Sequence, residues 1–87
     1  MKTYEIAVSK KLAASNKYAA KRWRNLCKDI APNRKQEIID AIPAAMATCK
    51  GYGTLALLEA WVNQSEHKPL FHESEYFMNI ALIWIEA

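Results

Sequence analysis

Lys10, Lys17, Lys21, Arg24 and Lys28 follow one another at intervals of seven, four, three and four residues. Such intervals bring side chains to one face of a helix, so the five would form a file of positive charge about 27 Å long at 1.5 Å per residue. No Asp or Glu falls between Lys10 and Lys28 to balance them, whereas an ordinary solvated helix face mixes signs. The chemistry such a file can perform is neutralisation of a polyanion. Lysines offer point charges to successive phosphates, without the fixed hydrogen-bond fork that base-specific recognition uses. Lys11 and Arg22 flank the file and Arg34 and Lys35 follow it, a second tier of candidate contacts. Tyr18 lies near them, where its ring can stack on an unpaired base.

Other chemistry has little to build on. Cys27, Cys49, His67 and His72 are the metal-ligating candidates outside the carboxylates, but twenty-one residues separate the two cysteines, with no zinc-type cysteine pair. They read as buried free thiols and loop histidines, and no metal or cofactor is expected. No glycine-rich phosphate loop, nucleophile elbow or paired-carboxylate arrangement occurs. The expectation is a binding protein, with no catalytic residues.

The elements that must position the cations can be read from periodicity. From Ser9 to Ile30 there is no Gly or Pro, and Val8, Leu12, Ala19, Trp23, Leu26 and Ile30 recur at helical spacing. One long amphipathic helix is predicted, apolar on one face and cationic on the other, stopped at Ala31-Pro32-Asn33. Asn33 can cap a second helix carrying Ile38, Ile39, Ile42, Ala45, Met46 and Cys49, with a kink or break at Pro43. Gly51 suits a left-handed helix end, Thr54 can cap a helix over Leu55 to Gln64, and Ser65 to Leu70 reads as the main loop. A last helix runs from about His72 or Ser74 to Glu86.

The chain ends admit two readings. Tyr4, Ile6 and Val8 alternate in a strand-like period and Ile80 to Ile85 is rich in β-branched and aromatic residues, so the ends can pair as two short strands. The all-helical reading is favoured, because Tyr76, Phe77, Ile80, Ala81 and Trp84 also form a helical stripe and a lone strand pair is marginal. The predicted fold is all-α, one domain over residues 1–87, a compact bundle of four or five helices with Trp23, Trp61 and Trp84 in its core.

Charge is divided along the chain. Residues 1 to 35 hold ten cations and two carboxylates, +8, and residues 36 to 87 hold two cations and seven carboxylates, −5. That split suits a polyanion partner, a partner subunit, or both. Glu37, Asp40, Glu59, Glu66, Glu73, Glu75 and Glu86 either solubilise outer faces or meet the basic helix of a neighbouring copy, which makes a homo-oligomer a candidate. No apolar run has the length of a secretory signal or a membrane span, so a cytoplasmic location without membrane contact is expected.

Two stretches resemble a known family. Ala41-Ile42-Pro43-Ala44-Ala45-Met46 followed by Lys50-Gly51-Tyr52-Gly53-Thr54-Leu55-Ala56-Leu57-Leu58 is similar to the central segment of the small helical subunit of type III-B CRISPR effector complexes, and Tyr18-Ala19-Ala20-Lys21-Arg22-Trp23 resembles its first helix. The likeness covers roughly residues 10 to 64. It departs at Tyr52, where an aliphatic residue is the pattern, and in the shorter chain. It implies a non-catalytic antiviral-defence subunit that stacks in a ribonucleoprotein and contacts the backbone of crRNA or of target RNA or DNA. The rival reading is a small phage or plasmid-encoded inhibitor or immunity protein whose basic face docks on an acidic protein surface.

Overall fold

The computed structural model describes residues 2–86. They form an all-α bundle of five helices: α1 (Lys2–Ser15), α2 (Lys17–Asp29), α3 (Pro32–Thr48), α4 (Thr54–Gln64) and α5 (Phe71–Glu86). Each boundary has a local cause, and several fall elsewhere than periodicity places them.

The long helix predicted from Ser9 to Ile30 is two helices. Asn16 takes extended backbone angles (φ −161°, ψ 109°) and its Oδ1 accepts from the N–H groups of Tyr18 at 2.9 Å and Ala19 at 3.3 Å. A side-chain cap satisfies two of the four amide donors that begin a helix without partners, which turns the chain here without any Gly or Pro.

Ala31-Pro32 does end α2. Ile30 is extended and Pro32 sits in the first turn of α3, where a missing N–H costs nothing. Asn33 is not the cap, because Ala31 occupies that position and gives no side-chain hydrogen bond. Nor does Pro43 break α3. Ile42 and Ala45 are fully buried while Pro43 faces solvent, so the packed face keeps both halves in one helix and the lost hydrogen bond lies on the wet side.

In the turn after α3 the positive φ belongs to Gly53 (87°) rather than Gly51, and Gly53 rather than Thr54 takes the cap position of α4. Gly51 is favoured for a different reason. A Cβ there would stand 3.2 Å from the Cβ of Ala56, because the turn passes close over the start of α4.

Helix α5 packs against each of the other four. Its buried stripe, Tyr76, Phe77, Ile80 and Ala81, meets Trp23, Trp61, Ile38, Ile42 and Leu57 in one core. Trp23 stacks on Tyr76 with ring centres 5.3 Å apart, and Trp61 on Phe77 at 4.5 Å. Trp84 is only partly buried at the core's edge, where it stacks on Tyr4 at 5.9 Å. The chain ends therefore do meet, but as helices. Cys27 is a buried free thiol and Cys49 a partly buried one. Among the described residues no helix is long and apolar enough to cross a membrane.

Candidate nucleic-acid interface

Helix α2 buries Ala20, Trp23, Leu26 and Cys27 and leaves Lys17, Lys21, Arg24 and Lys28 exposed. At about 100° per residue those four fall within roughly 60° of one another, a straight file about 16 Å long. None of the four forms an ion pair with any described residue. Lys10 is also exposed and unpaired among the described residues, but it lies on α1, across the corner at Asn16. The five-residue, 27 Å track expected on a single helix is thus a shorter one of four, with Lys10 apart.

The second tier is placed quite differently: all four of its residues are engaged within the chain. Lys11 pairs with Glu86. Arg22 donates from both Nη2 (2.9 Å) and Nε (3.3 Å) to Glu75. Arg34 donates through Nε and Nη2 to Glu73 at 2.8 and 3.3 Å and through Nη1 to Glu37 at 3.1 Å, and its guanidinium lies 5.8 Å from the centre of the Trp61 ring. Lys35 is largely covered, with Nζ 3.2 Å from a Glu5 carboxylate oxygen. The Arg34 bonds hold the Glu73 carboxyl below its ordinary range, helped by the Leu70 N–H, and raise the guanidinium in turn.

Much of the charge split along the sequence is therefore spent inside the molecule. Glu73, Glu75 and Glu86 of α5 reach back to cations of α1, α2 and the start of α3. Of the seven carboxylates in the acidic half, only Asp40, Glu59 and Glu66 carry no ion pair with a described residue, and Asp40 accepts from Gln36 at 2.7 Å. Three scattered carboxylates offer a neighbouring copy's basic helix far less than the seven anticipated.

Glu5 is a hub that periodicity does not reveal. Its carboxylate accepts from Tyr76 Oη at 2.9 Å and from Lys35, and its carbonyl oxygen from Trp23 Nε1 at 3.2 Å. Burial, with the Glu5 carboxylate, drives the Tyr76 hydroxyl strongly upward and pushes the Cys27 thiol up to about 12.

Clefts flank the cationic file on both sides. On one, Tyr18, Lys21, Arg22 and Asn25 line a cavity of about 360 Å³. On the other, a groove of about 410 Å³ runs between α1 and α2, with Ile6, Trp23 and Cys27 in its walls beside Arg24 and Lys28. Asn25 escapes a reading that counts only charges, although its place seven residues after Tyr18 and four after Lys21 is the available signal. Among the described residues no group of three or more His, Cys, Asp or Glu side chains is arranged to hold a metal ion. No protein-family model, curated protein or solved structure matches the chain.

Proposed function

We propose that this chain is a non-catalytic module that binds nucleic-acid backbone through Lys17, Lys21, Arg24 and Lys28, and that it works as a small helical subunit of a CRISPR-type ribonucleoprotein. The observation that carries the binding half is the partition of the cations. Every second-tier residue is matched by a carboxylate of its own chain, while the four of the α2 file are matched by none among the described residues. Leaving four like charges together in water lowers stability through mutual repulsion, and a polyanion partner relieves that repulsion. The subunit half rests on the likeness over residues 41–46 and 50–58, together with the all-α fold that the likeness implies. The glycine turn within it also has a structural reason of its own, in the positive φ of Gly53 and the close passage of Gly51.

The test is recovery of the tagged chain from its native cells, with and without nuclease, followed by mass spectrometry and sequencing of bound RNA. The proposal expects RNA together with effector subunits, both lost from a variant with Lys17, Lys21, Arg24 and Lys28 changed to Gln. Recovery of one acidic protein and no nucleic acid would instead assign the basic face to protein docking.

A further inference from the structure

We infer that the cleft beside the file is a stacking site for an unpaired base, with Tyr18 as its platform, so that the module selects single strands over duplex. The inference rests on the backbone-binding reading and specifies its substrate class. Three observations lead to it. Tyr18 is 79% exposed on the one helix that carries the file, although it is a large ring on a helix whose other aromatic, Trp23, is 2% exposed. It is also not alone, because Lys21, Arg22 and Asn25 complete a concave wall of about 360 Å³ around it. And that wall has no carboxylate in its lining, whereas three other grooves on the surface include Glu5, Glu59 or Glu75.

Each residue in and beside the cleft has a use for a single strand. Lys17 and Lys21 stand within one turn of Tyr18 and can hold the phosphates on either side of a base laid on the ring. Arg22 is tied to Glu75 by two of its N–H groups, which fixes its plane at the cleft wall and leaves three N–H groups uncommitted to that carboxylate. Asn25 brings an amide that can both donate to and accept from a base edge or a sugar hydroxyl. A duplex buries its base faces in its own stack, so it can use the lysines but not the ring.

The experiment titrates the purified full chain with three probes at one salt concentration: a mixed-sequence single-stranded RNA of about a dozen nucleotides, the same sequence as a duplex, and inorganic polyphosphate, which has charge but no bases. Tyr18→Ala is expected to weaken single-strand binding at least about fivefold, the lower end of what loss of one base–aromatic stack produces. Duplex and polyphosphate binding and the melting temperature should stay unchanged. Tyr18→Phe should retain the single-strand affinity. Equal single-strand affinity for Tyr18→Ala and wild type, with the four-Gln variant still losing it, would overturn the stacking site alone. Equal loss on all three probes would show that Tyr18 serves the file rather than a base, and would also overturn it. If wild type binds none of the probes but does bind a polyglutamate peptide, both the stacking site and the backbone-binding reading fail.

Discussion

The indole Nε1 of Trp23 donates to the backbone carbonyl of Glu5 at 3.2 Å. That bond closes the fold-back of α1 on α2 eighteen residues apart in sequence, and Asn16 forms the corner between them. The direction of the cationic file depends on this arrangement, since α2 can present its lysines outward only while Trp23 is held inward.

Removing the two fixings should therefore be felt to different extents. Asn16→Ala loses the cap and should cost about 1 kcal/mol. Trp23→Ala removes a ring that is 2% exposed and should cost about 3–5 kcal/mol. Urea unfolding followed by circular dichroism measures both, and Asn16→Ala as damaging as Trp23→Ala would contradict a corner held by one side-chain cap.

Acid should weaken the bundle through Glu73. Its carboxyl lies below the ordinary range in the folded chain because Arg34 donates to it. A depressed folded value contributes stability that is present in full above the unfolded value of about 4.3 and is lost as pH falls through the folded one. Arg34→Met removes the cause, at about 1–2 kcal/mol for a partly exposed pair. The gap in melting temperature between wild type and Arg34→Met should be constant from pH 7 to about pH 5 and then narrow towards pH 2. A gap that persists unchanged at pH 2 would assign the effect of Arg34 to its contact with Trp61 instead.

The two thiols should separate cleanly. Burial, then the Glu5 carboxylate, pushes Cys27 up to about 12, so it stays protonated and covered at pH 8. Cys49 is partly exposed and donates to the Gly51 carbonyl at 3.2 Å. A disulfide reagent should titrate Cys49 in the native protein and Cys27 only as denaturant unfolds it. Two equally fast thiols would contradict the burial of Cys27.

Much of the fold was legible from apolar spacing. Trp23, Leu26 and Ile30 lie on the stripe that is buried, and the helical reading of Tyr76, Phe77, Ile80 and Ala81 holds over the strand alternative. The corner at Asn16 was not, because periodicity runs through it and only the capping ability of Asn distinguishes it. Pro43 misleads in the opposite sense: it reads as a breaker, yet tertiary packing of Ile42 and Ala45 overrides it. For the site, residue type and spacing were enough to group Lys17, Lys21, Arg24 and Lys28. They could not show that Lys11, Arg22, Arg34 and Lys35 would find carboxylates thirty or more residues away, because such partners are set by how α5 docks and, for Lys35, by where α1 lies.

The most direct measurement is the salt dependence of single-strand binding for wild type and for the variant with Lys17, Lys21, Arg24 and Lys28 changed to Gln. Four phosphate contacts at about −0.7 each give a log–log slope of about −3. Wild type should show that slope and the variant one near zero, at a melting temperature no lower than that of wild type. Wild-type binding that ignores salt, or a variant that keeps the full slope, would contradict it.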